Sequence, residues 1–264
     1  MCIRDRYNEE RGETKVLTEE RRQYILAQLQ QHTVIKSKAL MAALDASEST
    51  IRRDLDELEA AGELKRIHGG AKRINGLGDE PDVASKSAQN LRAKQTIAQA
   101  AVRQIEPDDL IFLDAGTTTA QLIPFLADIG VTVITTGVDN ASLLADYQIS
   151  TLMLGGMVKP TTKALIGATT AEALNHYRFD VAFIGTNGVH PEFGLTTPDP
   201  EEAVIKRLAI HQASKPVILA DPSKFEQVSF VRFADISDAT ILTSSLQGLP
   251  TSYQRFENIK EVHS

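Results

Sequence analysis

Cysteine is nearly absent from this 264-residue chain, Cys2 being the one copy. A single thiol excludes an internal disulfide framework and is the usage expected of a reducing, cytoplasmic compartment. No stretch approaches the ~20 apolar residues that a bilayer-spanning helix requires. The N-terminus also holds no apolar run of the kind a secretory signal needs, so no membrane partner is expected. Six histidines (His32, His68, His176, His190, His211 and His263) are scattered without metal-ligand spacing, and no metal site is expected. Neither the G-x-x-x-x-G-K-[ST] phosphate loop nor the G-x-S-x-G elbow occurs, and the LGGM at Leu154 is a lone Gly-Gly turn, so no cofactor is expected. What remains is an ordinary globular composition, 42% hydrophobic and 24% charged, long enough for two modest domains.

The formal charge of −7 is unevenly placed. Residues 16–74 carry ten Lys and Arg against nine Asp and Glu, whereas residues 75–264 carry 14 against 22, and the first 15 residues balance at four each. Attraction to a polyanion is set by the local field, so the bulk acidity says little about the N-terminal segment.

Residues 1–16 are polar and aperiodic and are expected to be a disordered tail. The MCIRDR start looks like translated sequencing-adapter bases, which puts the expected native start near Val16 or Leu17 and makes the cysteine an artefact. Residues 17–74 then read as three helices and a hairpin. Thr18 can cap the first helix, which carries Ile25, Leu26 and Leu29 on one stripe. The second fits Ser37 to Leu44. The third follows Ser47 as N-cap, places Ile51, Leu55 and Leu58 on one face, and ends at Gly62. ELKRIHGGAKRI is predicted to form a hairpin turning at Gly69-Gly70. Residues 75–90, rich in turn-formers, are expected to be a linker. From 91 to 264, apolar strands (LIFLDA, VTVITT, STLMLG, DVAFIG, PVILAD, ATILTS) alternate with helices, the pattern of a parallel sheet covered on both faces.

Three helices plus a hairpin make a winged helix-turn-helix, whose third helix enters the major groove with its N-terminal residues at the base edges. Ser47, Ser49, Thr50, Arg52 and Arg53 occupy the first turns of that helix, while Asp56, Glu57 and Glu59 lie further along. Asp54 breaks this polarity and would orient either Arg53 or a neighbouring helix. Lys36 ahead of the second helix, with Lys65, Arg66 and His68 in the hairpin, suits phosphate or minor-groove contact. Taken alone, the third helix could equally be an amphipathic helix with solvated charge pairs. The spacing of Arg21, Ile25, Leu29, Ser47, Thr50, Ile51, Arg52, Arg53, Asp54 and Leu55, followed by GELKRIHGGA, resembles the signature of DeoR-type bacterial repressors.

In LIFLDAGTTTAQLIPFL, a strand leads through Asp114, Gly116, Thr117, Thr118 and Thr119 into a helix. Such a turn offers amides and hydroxyls to a phosphate, although a Thr-capped structural turn would read the same way. Asn187, the pair Glu202 and Lys206, and Lys224 also fall just beyond strand ends, where open α/β sheets bind ligands. Glu202–Lys206 is equally readable as a surface i, i+4 pair and Lys224 as a solvated loop lysine. DAGTTT, LGGMVKPTTKALIG, GTNGV, GLTTPDPEEAVIKR and ADPSKF resemble, in order, the sensor domain of the DeoR family.

The resemblance implies a Rossmann-like fold similar to ribose-5-phosphate isomerase and binding of a phosphorylated sugar. Gly116, Thr117, Thr118, Thr119 and Lys224 would hold the phosphate, and Asp114, Asn187, Glu202 and Lys206 would contact the sugar or shape the pocket. It also implies repression of a sugar uptake or catabolism operon through double-stranded operator DNA, by a homodimer or homotetramer. A ligand-dependent activator, or an isomerase with an appended DNA-binding domain, are the alternatives. The isomerases' acidic Asp-Gly-Ala-Asp segment is replaced here by Asn187-Gly188-Val189-His190, so an enzyme is not expected.

Overall fold

A computed structural model of the chain describes residues 18–32, 34–73, 76–78, 80 and 82–263. The tail expected over 1–16 lies outside them. The chain divides into two compact units, Met1–Asn75 and Gly76–Ser264.

The first unit contains α1 (Thr18–Gln31), β1 (Val34–Lys36), α2 (Ser37–Leu44), α3 (Glu48–Ala60), β2 (Leu64–Ile67) and β3 (Gly70–Arg73). Its core joins Ile25 and Leu29 of α1 to Leu40 and Leu44 of α2 and to Ile51, Leu55 and Leu58 of α3. These are the stripes expected from the 3.6-residue period. Ser47 caps α3, its Oγ accepting from the Thr50 amide at 3.3 Å, and Gly62 follows the helix at φ +73°. α1 starts at Thr18, so its cap position falls on residue 17, outside the described residues; Thr18 Oγ1 instead accepts from Arg21 Nη2 at 3.3 Å.

The hairpin turns one residue earlier than expected, on His68-Gly69, with Gly69 at φ +80°. Gly70 is instead the first residue of β3, because β1 adds a third, unforeseen strand that pairs Ile35 with Ala71 and Lys36 with Gly70. A Cβ at position 70 would overlap the Ile35 carbonyl, so glycine is required there by close approach and not by the turn.

The second unit opens with α4 (Val83–Ala88) and α5 (Leu91–Val102), followed by β4 (Leu110–Leu113), β5 (Thr132–Thr135), α6 (Val138–Asp146) and β6 (Ser150–Met153). After the small antiparallel pair β7 (Met157–Val158) and β8 (Leu165–Ile166) come α7 (Ala168–Asn175), β9 (Phe179–Gly185), β10 (Gly188–His190), β11 (Gly194–Thr197), α8 (Pro200–Gln212), β12 (Ala213–Leu219), β13 (Val231–Ala234), β14 (Thr240–Thr243) and β15 (Ile259–Glu261). Seven strands form a parallel sheet in the order β15-β14-β12-β9-β4-β5-β6, and β10-β11-β13 form a separate antiparallel sheet.

Successive strand residues alternate between two buried cores: Phe112, Ala182, Ile184 and Ile218 enter one, and Ile111, Leu113, Val181, Phe183, Val217 and Leu219 the other. A sheet buried on both faces is why these strands are continuous apolar runs.

Two expectations are corrected. TAQLIPFLAD is not an α-helix but a 3₁₀ segment over Thr119–Phe125, with Pro124 removing an amide donor inside it. The expected linker 75–90 is largely built into the second unit: Asp82 caps α4 by accepting from the Ser85 amide at 2.7 Å, and the Val83 amide donates to Thr161 O at 3.3 Å.

Candidate DNA interface and ligand site

In the first unit, α3 exposes Ser49, Arg52 and Arg53, with Thr50 half-buried. Ser47 Oγ lies 2.9 Å from Ser49 Oγ and 2.8 Å from Thr50 Oγ1, so cap and first turn share one hydroxyl cluster. Arg53 extends along the helix to Glu57, with Nε to Oε1 at 3.0 Å and its side chain 82% exposed. Ser49, Thr50 and Arg53 border a cleft together with Thr18 and Arg22 of α1; Arg52 does not line it. Lys36, Lys65 and His68 are exposed.

Asp54 belongs to the fold and not to the reading face. It is 2% exposed and takes a two-point hydrogen bond from Arg21 of α1, with Nε to Oδ2 at 2.8 Å and Nη2 to Oδ1 at 3.1 Å. The Asp54 carboxylate holds the Arg21 guanidinium above its ordinary pKa, outweighing desolvation. Of the two sequence readings, the neighbouring helix is right and Arg53 is not. Arg66 is likewise engaged: its guanidinium pairs with Asp56 and its amide donates to Glu59 Oε1 at 2.8 Å. The acids along α3 thus have partners in α1, in α3 itself and in the wing.

In the second unit, a narrow cleft with about 70 Å³ of interior space opens beyond the carboxyl ends of β4, β9 and β12. It brings together Asp114, Gly116, Thr117, Thr118, Asn187, Glu202, Lys206 and Lys224, all but one of the residues expected from sequence. The exception is Thr119. It is fully buried, and its hydroxyl is spent within the loop, donating to Asp114 O and Gly116 O at 2.7 Å each, so its side chain does not reach the cleft.

Lys206 and Asp114 form a buried ion pair at 2.5 Å. Burial alone would depress the lysine, but the Asp114 carboxylate raises it above its ordinary value. Asp114 Oδ2 also accepts from the Gly185 amide at 2.9 Å, and Lys206 donates to Gly185 O at 3.1 Å, so the pair ties β4, β9 and α8 together. Glu202 is equally engaged, accepting from Thr162 Oγ1 at 2.7 Å and from Lys159 at 3.2 Å. Lys159 also meets Asp199 at 2.7 Å and Glu80. Asn187 Oδ1 accepts from Thr197 Oγ1 at 3.3 Å.

Most of the residues missed from sequence come from α4, α5 and the turn between them. Lys86, Gln89, Asn90 and Lys94 line the cleft, as does Asp221, which accepts from Asn90 Nδ2 at 2.8 Å. Lys94 is 3% exposed, yet among the described residues its ammonium donates only to neutral oxygens, Thr117 Oγ1 at 3.1 Å and Lys86 O. Burial lowers its pKa, against the through-space pull of Asp221. Lys86 is lowered by burial as well, with Glu80 its nearest acid at 3.4 Å. A signal was present in the sequence: Lys94 occupies the apolar stripe of α5, spaced 3, 4 and 7 residues from Ile97, Ala98 and Ala101. A lysine among core positions is worth reading as a site.

Residues 21–76 match the family model for the DeoR-like helix-turn-helix domain, and residues 89–245 that for the DeoR C terminal sensor domain. The chain is 47% identical over 249 residues, 94% of its length and 99% of the relative's, to the HTH-type transcriptional regulator FruR of Bacillus subtilis (strain 168). It is 30% identical, across 87% of its length and 92% of the relative's, to a lactose phosphotransferase system repressor of Staphylococcus epidermidis. Among solved structures, ribose 5-phosphate isomerase A of Methanocaldococcus jannaschii aligns with a TM-score of 0.40 and 23% identity over 52% of this chain and 55% of that one.

Proposed function

The chain belongs to the DeoR family of DNA-binding transcriptional regulators, and from that premise we propose that it represses a sugar uptake or catabolism operon until a phosphorylated sugar fills the cleft of its second unit. The reading rests on Lys94, a buried ammonium with no carboxylate at ion-pair distance among the described residues. A buried charge is costly unless paired, and a phosphate beside Thr117 supplies the missing partner. Lys86 and Lys224 add positive charge to the same cleft, and Thr118 and the Gly116–Thr117 loop add polar groups. Glu202 and Asn187, on the cleft's other walls, face the sugar hydroxyls.

Isomerase chemistry would require a free carboxylate base near the carbonyl. Asp114 is held by Lys206 and the Gly185 amide, Glu202 by Lys159 and Thr162, and Asp221 by Asn90 and Ser223. The name of the Staphylococcus relative, a repressor of a sugar phosphotransferase system, fits the same reading. Arg52 and Arg53 would read operator bases, with Lys36, Lys65 and His68 on phosphates, and a dimer would match two half-sites. Release follows from linkage: a ligand preferring one state by about 1–3 kcal/mol changes operator affinity about 5- to 150-fold.

The test is thermal stabilisation of the full chain by a panel of aldose and ketose phosphates beside the same sugars without phosphate. Stabilisation by at least one phosphorylated sugar and by none of the free sugars is expected. Equal response to both would overturn the reading.

A further inference from the structure

We infer that Glu80 is a built-in competitor for the ligand's phosphate, and that Lys86 is the group exchanged between them. The inference rests on the phosphate site proposed above and adds its regulation. Glu80 does not line the cleft, but its carboxylate lies 3.4 Å from Lys86 Nζ, and Lys86 does line it. The same carboxylate contacts Lys159, which also holds Asp199 and Glu202. Lys86 therefore stands between an acid behind it and an anion site in front.

The contact to Glu80 is long for a charged pair, beyond the ~2.7–2.9 Å of a good N⁺–H···O⁻ bond. A dianion beside Thr117 offers Lys86 a stronger partner within a cleft that already desolvates it. Lys94 gives the exchange a second handle. Its ammonium bridges Lys86 O on α4 to Thr117 Oγ1 on the loop, so turning toward a phosphate loosens its hold on α4. Ligand entry thereby changes both attachments of α4, Glu80–Lys86 and Lys94–Lys86 O. This is the segment that follows the DNA-binding unit in the chain.

The test is a double-mutant cycle on the full chain, with inorganic phosphate as probe and binding followed by calorimetry. Glu80→Gln should tighten phosphate binding about two- to fivefold, the modest strength expected of a long, part-buried ion pair. In a Lys86→Met background the same substitution should give no gain, because the exchanged group is gone. An equal gain in both backgrounds would mean simple long-range repulsion, and no gain in either would mean no competition; each result overturns the inference. Absence of phosphate binding in the wild type, unaltered by Lys94→Met, removes the underlying site itself and is a separate outcome. Lys159 keeps Asp199 and Glu202 in Glu80→Gln, and an unchanged melting temperature confirms that the fold is intact. Amide exchange over residues 82–90 provides an independent reading: phosphate should alter it less in Lys86→Met, where only the Lys94 attachment to the residue-86 carbonyl remains, than in the wild type.

Discussion

The arginines of the DNA-binding unit and Lys94 of the cleft are held in opposite ways. In the DNA-binding unit the engaged arginines are matched to acids: Arg21 to Asp54, Arg53 to Glu57, and Arg66 to Asp56. All but the first of these pairs are solvent-accessible, so their partners can be exchanged for DNA phosphates at little cost. In the second unit Lys94 is buried and, among the described residues, has only neutral acceptors. Under the proposed function, a surface that releases DNA would benefit from cations with substitute partners, and a cleft that binds a phosphate would benefit from a cation left wanting one.

The sharpest way to break the comparison is to remove the one buried pair on the DNA side. Asp54→Ala deletes the carboxylate of the buried Arg21–Asp54 pair between α1 and α3 and should cost about 3–5 kcal/mol, read as a fall in the denaturant midpoint of the first unit. A cost near that of a surface substitution would show that Asp54 is not the strut between these helices.

Lys94→Met probes the opposite case and should act with opposite signs on stability and binding. Phosphate affinity should fall about tenfold or more, while the ligand-free protein gains about 1–2 kcal/mol from losing a poorly compensated buried charge. The pH dependence follows. The folded-state pKa of Lys94 lies below 10.5, so between that lowered value and 10.5 the unfolded chain binds more protons and stability rises with pH. The substitution should flatten that rise. Phosphate affinity should drop over the same window as the ammonium is lost, at a pH where the phosphate is already a dianion. A variant that is destabilised and still binds phosphate would put the charge elsewhere.

The fold was largely legible because its signals are local. Stripes at helical spacing located α1 to α3, and doubly buried strands announced themselves as apolar runs such as Leu110–Leu113. What escaped depended on partners distant in sequence. β1 exists because it adds to β3, and Gly70 is demanded by Ile35, 35 residues away. The ligand site shows the same division. Strand-end residues such as Asp114, Asn187 and Lys224 follow from the rule for open sheets, but Lys86 and Lys94 lie before β4, the first strand of the parallel sheet, and reach the cleft only because α4 and α5 pack back upon it. Thr119 failed for a subtler reason: a hydroxyl in a loop can be spent on the loop itself.

The smaller effects separate base reading from phosphate contact among the cations of α3 and the hairpin. Arg52 is exposed in the first turns of α3, and Arg52→Ala should lose about 1–3 kcal/mol of discrimination between operator and mismatched sites if the guanidinium is bidentate to guanine. Arg53 must first leave Glu57, so Arg53→Ala should lose less, and Glu57→Gln should strengthen binding to all sequences slightly. Lys65, exposed and without a carboxylate at ion-pair distance among the described residues, should lower the salt slope by about one unit when replaced by alanine. Arg66, tied to Asp56, should lower it by less. The order Lys65 above Arg66 is the informative result, obtained from binding isotherms at several salt concentrations. The reverse order would mean that the wing's ion pairs open fully on DNA and that pairing in the free protein does not rank the contacts.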